Sequence, residues 1–142
     1  MKIKTLAGLL LMLGCILFFG CKKSNAVSAA PADISELSGV WICPHWINPG
    51  DTLEFTFNTT AKNAVDSYMN PQNYGYTAGD IVLSGITTTS TANTFTCTAE
   101  VRSGNNNSVL SNGTIRLILL NNMLTAKYSD ISGYADLTFT KK

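Results

Sequence analysis

The chain has 142 residues, of which 45% are hydrophobic and 13% are charged, a composition that suits one globular domain of modest size. Lys and Arg total 10 and Asp and Glu total 9, so there is no basic excess to neutralise phosphates, which argues against nucleic acid as a partner. The single histidine, His45, argues against a histidine zinc cluster and a Ser-His-Asp triad.

Residues 1–20 have the order of a secretory signal peptide. Lys2 and Lys4 precede an apolar stretch that runs from residue 6 to residue 20. A membrane-spanning helix needs about 20 apolar residues, and this stretch is shorter. A permanent transmembrane anchor is therefore the weaker alternative, and the sequence predicts a signal peptide over residues 1–20.

The segment Leu17-Phe18-Phe19-Gly20-Cys21 resembles the lipobox of bacterial lipoproteins. A small residue precedes the cysteine and a polar stretch follows it, although Phe18 and Phe19 depart from the residues that the family prefers. The resemblance implies that Cys21 becomes the mature N-terminus and carries diacylglycerol, with an N-linked chain such as palmitate. A competing site ends at Cys15, but cleavage there leaves an apolar stub. We therefore expect a lipid-anchored protein of the bacterial cell envelope, at the periplasmic face or the cell surface.

Residues 21–37 are small, polar and rich in Ala and Ser, without sustained periodicity. This composition is typical of a flexible linker, so we expect a lipidated tether over 21–37. The folded domain then occupies residues 38–142.

The domain has the pattern of an all-β fold. Apolar and polar residues alternate over 53–57, 94–102, 124–128 and 135–140, which indicates antiparallel strands with one wet face. The segments 81–83 and 115–120 are apolar on both faces, and Asn121-Asn122 suits a two-residue hairpin turn. A further strand over 40–47 gives seven strands, or eight if one forms near 108–112. We predict a small antiparallel meander that forms a barrel or a sandwich.

The opening Leu37-Ser38-Gly39-Val40-Trp41 and the closing strand over 134–142 resemble small lipoproteins with a lipocalin-like (calycin-type) barrel. The G-x-W element Gly39-Val40-Trp41 carries this resemblance. It implies that Trp41 closes one barrel end beside a basic residue, for which Arg116 and Lys127 are candidates. It also implies an interior able to hold a small apolar ligand. The alternative is an interior filled by its own side chains.

Two cysteines, Cys43 and Cys97, remain once Cys15 is removed with the signal peptide and Cys21 is lipidated. Export places them in an oxidising compartment, so we predict a disulfide between them. On the chain-entropy model it stabilises the fold by roughly 4 kcal/mol. The alternative is a pair of buried free thiols.

Aromatic residues supply the candidate ligand-binding side chains. Tyr68, Tyr74 and Tyr76 lie in the longest irregular stretch, among amides, a chemistry that suits a glycan or a protein partner. The alternative is that these tyrosines fold back onto a barrel mouth. Trp41 is expected in the core and Trp46 partly exposed, and either is a candidate to line a pocket.

Catalytic and metal-binding signals are sparse. His45 could act as a general base, but no carboxylate nearby in the sequence orients it. Asp51, Asp130 and Asp136 lack the spacing of a calcium loop, so we expect them in turns and caps. We therefore expect no catalytic residue, no metal and no cofactor.

These features together predict an envelope-anchored lipoprotein. We expect a non-enzymatic binding module for a small apolar ligand or a glycan. The alternative is a protein-interaction module, or an inhibitor of hydrolases, in the cell envelope.

Overall fold

A computed structural model describes residues 31–44, 49–70, 75–102 and 109–142. Eight antiparallel strands follow one another in chain order and close into a barrel through pairing of β1 with β8. The strands are β1 (Gly39–Pro44), β2 (Thr52–Asn58), β3 (Asn63–Asn70), β4 (Ile81–Thr88), β5 (Thr94–Arg102), β6 (Val109–Leu120), β7 (Met123–Ala126) and β8 (Leu137–Lys141). Two 3-10 helices, Ile34–Leu37 and Tyr128–Asp130, precede β1 and β8 respectively.

The predicted all-β meander is confirmed, and of the two architectures considered the structure has the barrel. Alternation explains why these segments form strands. In β2, Leu53, Phe55 and Phe57 are buried while the residues between them are partly exposed. Successive side chains of a strand point to opposite faces, so this period of two fills the interior with apolar groups. Phe55 also packs against Phe139 of β8, with ring centroids 4.9 Å apart.

Within the described residues, no helix is both long enough and apolar enough to cross a membrane.

The eighth strand is β3, and it does not lie near residues 108–112. That region is the beginning of β6, which continues through the predicted strand at 115–120. The sequence pattern of β3 is irregular for two reasons. Asp66 is buried on the inner face, and a register shift against β2 leaves Ser67 and Tyr68 both exposed. Such a β-bulge breaks the alternation that identifies a strand.

The predicted hairpin turn at Asn121-Asn122 is confirmed. Leu120 pairs with Met123 across it, and the two asparagines have φ values of 51° and 60°. Asn tolerates this left-handed region better than most residues, which explains the Asn-Asn pair between two apolar strands.

One end of the barrel, here called the helix end, carries the 3-10 helix Ile34–Leu37. The helix begins with a capping box, in which Asp33 accepts a hydrogen bond from Ser35 N and donates its own N–H to Glu36. Although residues 34–37 fall within the predicted tether, Leu37 is fully buried in the core. The Trp41 indole N–H donates to the Leu37 carbonyl oxygen over 2.8 Å, so helix and tryptophan cover this end together.

The basic residue beside Trp41 is Lys141, and not Arg116 or Lys127 as expected. Lys141 Nζ lies 5.4 Å from the centre of the Trp41 ring and donates to the Glu36 carbonyl oxygen. This follows from the barrel closure, because Trp41 pairs with Lys141 in the β1–β8 ladder. Arg116 and Lys127 instead form ion pairs with Asp130 and Asp136, which lie between β7 and β8.

We predict that Trp41→Ala lowers the free energy of unfolding by about 3–5 kcal/mol, because it empties the helix end and removes a buried hydrogen bond. Trp41→Phe retains an aromatic ring and should cost less. Urea unfolding followed by far-UV circular dichroism measures both. A value for Trp41→Ala within about 0.5 kcal/mol of the unmutated protein, the range of ordinary surface changes, would contradict this role.

Candidate ligand-binding cavity

Unequal strand lengths leave the barrel wall incomplete at the end opposite the helix end, here called the cavity end. β5 and β6 have 9 and 12 residues, whereas β7 and β8 have 4 and 5. β6 pairs with β7 only from Leu117 to Leu120, so among the described residues no strand accompanies residues 109–116 on that side. The segment over 127–136, here called the β7–β8 segment, contacts β6 in its place.

Two ion pairs hold the β7–β8 segment. The Arg116 guanidinium donates to both oxygens of Asp130 over 2.9 and 2.7 Å, and Arg116 N donates to Asp130 as well. Lys127 pairs with Asp136, which also accepts from Ser129 N over 3.0 Å. Hydrogen bonds from Lys127 and Ser129 lower the pKa of Asp136 to about 2. Of the three aspartates considered as calcium ligands, Asp130 and Asp136 thus pair with basic side chains of the chain itself.

A cavity of about 340 Å³ opens at the cavity end beside the β7–β8 segment. This volume is at the lower end of the range for small-molecule sites. Most of its lining is apolar, and four polar or charged residues complete it; the described lining residues are Leu53, Phe55, Met69, Tyr76, Val101, Arg102, Leu110, Tyr128, Tyr134, Ala135 and Leu137. The interior is therefore packed toward the helix end and hollow toward the cavity end.

A hydrogen-bonded cluster of Tyr76, Asp80, Glu100 and Arg102, here called the rim cluster, borders the cavity. The Tyr76 hydroxyl donates to the Glu100 carbonyl oxygen over 2.7 Å and accepts from Arg102 N over 3.1 Å. The Arg102 guanidinium contacts the Asp80 and Glu100 carboxylates, each over 2.6 Å. Burial raises the pKa of Tyr76 to about 12, which keeps its hydroxyl neutral. Two carboxylates around one guanidinium give the rim cluster a net negative charge.

Tyr128 presents a different kind of hydroxyl to the cavity. It is only 7% exposed, and burial raises its pKa. Among the hydrogen bonds that join described residues, none uses this hydroxyl, although the side chain lines the cavity. Buried hydroxyls normally find a partner. Tyr128 is thus a nearly buried lining residue whose hydroxyl has no hydrogen-bond partner among the described residues and is left to bond a guest.

Asp66 is a buried carboxyl on the inner face of β3. It is 1% exposed, and its Oδ1 atom has no hydrogen-bond partner among the described residues. Burial raises the pKa of Asp66, an effect that the nearby charge of Asp80 reinforces and a hydrogen bond from Tyr68 N opposes. A buried charge without an opposite partner costs stability.

The aromatic candidates do not form one site. Tyr76 lines the cavity, whereas Tyr68 lies on the outer face of β3 and is 46% exposed. Trp41 is buried at the helix end, and it does not line the cavity. Trp46, Tyr74, His45 and the expected lipidation site Cys21 lie outside the described residues.

The predicted disulfide is corrected to two buried free thiols, the alternative considered above. Cys43 and Cys97 are both unbonded and are not within disulfide distance. Both face inward, as expected, but β1 and β5 are four strands apart around an eight-stranded barrel and so belong to opposite walls. Burial raises the pKa of both thiols, that of Cys97 to about 12, which makes them poor nucleophiles.

The sequence reasoning missed Arg102, Tyr128 and Tyr134 as lining residues. The alternation over 124–128 predicts Tyr128 at the end of a strand, whereas it begins a 3-10 helix. One signal was present: two tyrosines bracket a short stretch that contains Gly133, between two strands too short to complete the wall. Nothing local to Arg102 indicated that it borders a cavity.

Comparison of this chain with protein-family models, with curated proteins and with solved structures finds no match. The likeness to lipocalin-like proteins therefore rests on architecture, since an eight-stranded antiparallel barrel is compatible with that fold.

We predict that Asp66→Asn raises the free energy of unfolding at pH 7, by about 1 kcal/mol, the size typical of single-site changes. Because the folded-state pKa of Asp66 lies above its ordinary value of 3.8, the folded protein binds the proton more tightly than the unfolded chain. The free energy of unfolding of the unmutated protein therefore falls as the pH rises from 3.8 through the folded-state pKa of Asp66. The advantage of Asp66→Asn should shrink as the pH is lowered to about 4.

Asp136→Asn is the control with the opposite sign. Its pKa is lowered, so its contribution is present above 3.8 and is lost as pH falls toward about 2. Urea unfolding at several pH values measures both variants. Equal stability of Asp66→Asn and the unmutated protein at every pH would show that the buried carboxyl carries no such cost.

Proposed function

We propose that this protein is a lipoprotein of the bacterial cell envelope whose barrel binds a small apolar molecule and catalyses no reaction. The cavity of about 340 Å³ at the cavity end is the observation that carries the ligand-binding part of this proposal. An eight-stranded barrel is wide enough to hold one small ligand when its own side chains do not fill it.

The lining favours an apolar guest over a glycan. Leu53, Phe55, Met69 and Leu137 supply hydrocarbon surface, and covering such surface is worth about 25 cal/mol per Å² removed from water. A glycan site would need exposed aromatic faces with free hydrogen-bonding groups nearby. Tyr68 and Tyr76 lie on opposite faces of the wall, and the Tyr76 hydroxyl already makes two hydrogen bonds.

The position of the chain's first described residues supports a defined orientation on a lipid anchor. Residue 31 leads directly into the 3-10 helix of the helix end, so a tether from Cys21 joins the barrel there. The residues between Cys21 and Pro31 reach at most about 35 Å when fully extended. Attachment at the helix end favours an orientation with that end toward the membrane, and repulsion between the acidic rim cluster and anionic headgroups favours a cavity that faces away.

Methionine methyl groups provide a site-specific test of ligand binding. We predict that N-phenyl-1-naphthylamine, a neutral aromatic probe, shifts the Met69 methyl resonance of the full chain in lipid nanodiscs. Met69 lines the cavity, whereas Met123 lies at the helix end and reports changes elsewhere. Ala135→Trp should weaken binding by about 10-fold or more, because its indole fills the cavity mouth. Ala61→Trp adds the same group to the turn between β2 and β3 and should bind as the unmutated protein does.

Absence of any Met69 shift, or equal binding by the two tryptophan variants, would contradict the proposed cavity function. The alternative of a protein-interaction module, or of an inhibitor of envelope hydrolases, would then take its place.

The lipid anchor has its own test, for which the chain contains a matched control. We predict that Cys21→Ser abolishes incorporation of labelled palmitate and membrane retention in a bacterial host, whereas Cys15→Ser retains both. The reason is that each buried CH₂ is worth about 0.8 kcal/mol, so loss of the acyl chains removes the anchor. The reverse pattern would move the processing site to Cys15. If neither the Cys21→Ser nor the Cys15→Ser variant incorporates palmitate, lipidation is contradicted.

A further inference from the structure

The cavity, if it binds a small molecule as proposed above, also carries information about the chemistry of that molecule. Its walls are hydrocarbon apart from three tyrosines and one arginine within the described lining. The hydrogen-bonding state of these four residues decides which polar group a guest can bring into the cavity.

The charge of Arg102 is already neutralised by two carboxylates, so it offers no net attraction to an anionic group. Its guanidinium already contacts Asp80 and Glu100, each over 2.6 Å, and it stacks 5.5 Å from the centre of the Tyr76 ring. A carboxylate brought beside it would meet two carboxylates, and moving a charge out of water without a free partner is costly.

Tyr76 is equally occupied, since its hydroxyl donates one hydrogen bond and accepts another. Tyr134 is more exposed than Tyr128, since it is only half-buried. Tyr128 is different, because the residue is only 7% exposed and its hydroxyl bonds to no described residue. A guest that offers this hydroxyl a hydrogen bond gains the net stabilisation of one such bond.

We propose that the cavity selects an uncharged amphiphile with one hydrogen-bonding oxygen, such as an aliphatic alcohol, and that this oxygen bonds to the Tyr128 hydroxyl. The hydrocarbon part lies against Leu53, Phe55 and Met69. Anions of the same length are rejected because Arg102 is neutralised within the rim cluster.

A matched set of three probes tests this selection: 1-octanol, octanoate and nonane. Octanoate carries a carboxylate in place of the CH₂OH group of 1-octanol, and nonane carries a methyl group in place of its hydroxyl. Each is titrated into the full chain in lipid nanodiscs at pH 7.5, with the Met69 methyl resonance as the readout. Partition of each probe into protein-free nanodiscs is measured separately and gives its free concentration. We expect 1-octanol to bind at least ~10-fold more tightly than octanoate, the ratio that corresponds to 1.4 kcal/mol.

Tyr128→Phe removes only the hydroxyl. We expect it to weaken 1-octanol binding by about 2- to 12-fold, the effect of one hydrogen bond, and to leave nonane binding unchanged or stronger. Tyr68→Phe is the matched control on the outer face of β3, and it should bind all three probes as the unmutated protein does.

The outcomes separate this inference from the proposed function. Octanoate binding as tight as 1-octanol binding, or equal losses of 1-octanol and nonane in Tyr128→Phe, would overturn the selection while leaving an apolar site in place. Failure of every probe to shift Met69 would remove the cavity function itself. If Tyr128→Phe does not fold, the ratio of 1-octanol to octanoate in the unmutated protein still decides.

Discussion

Closure of a barrel with strands of unequal length is the constraint on which the other features depend. The ladder between β5 and β6 pairs residues 94–102 with residues 109–118, whereas β7 and β8 cover only part of that height. Where β7 ends, the backbone N–H and C=O groups on that edge of β6 lose their strand partner. Such groups need another hydrogen-bond partner when they are buried. The β7–β8 segment meets that demand through Arg116 and Asp130, and the space beside it is the cavity.

The same constraint divides the barrel into two ends with different chemistry. The helix end is closed by the Trp41 ring, which bonds to the Leu37 carbonyl oxygen and lies beneath the Lys141 ammonium. At the cavity end, polar groups lie at the border and are largely satisfied by one another, as in the rim cluster. The proposed binding function depends on this division between a packed end and a hollow end, since a preformed site avoids ordering costs on binding.

The sequence predicts the parts of this fold that depend on local alternation and turn chemistry. Leu53, Phe55 and Phe57 identify β2, and Asn121-Asn122 identify the hairpin after β6. It could not predict β3, because a buried aspartate and a bulge remove the alternation there. It also could not place Lys141 beside Trp41, since that pairing depends on how the first and last strands meet.

The site was less predictable than the fold for a related reason. Tyr76 was a candidate because it lies in an aromatic stretch, and it does line the cavity. Tyr128 becomes informative only through burial and the absence of a described partner, which depend on the β7–β8 segment folding back on β6. The cysteine pair shows the opposite error: both thiols face inward as their strand patterns indicate, but the barrel diameter separates them.

The seam between β1 and β8 has a consequence for how this chain avoids association. Seven of the eight adjacent strand pairs join neighbours in sequence, so they can form as hairpins, whereas β1 must wait for the last strand. Until then, two sheet edges are open, and an open edge is a template for pairing with another chain. The ladder between β1 and β8 is short, since it pairs Trp41 with Lys141 and Ile42 with Thr140. The lysine that covers Trp41 therefore also completes the strand that hides these edges.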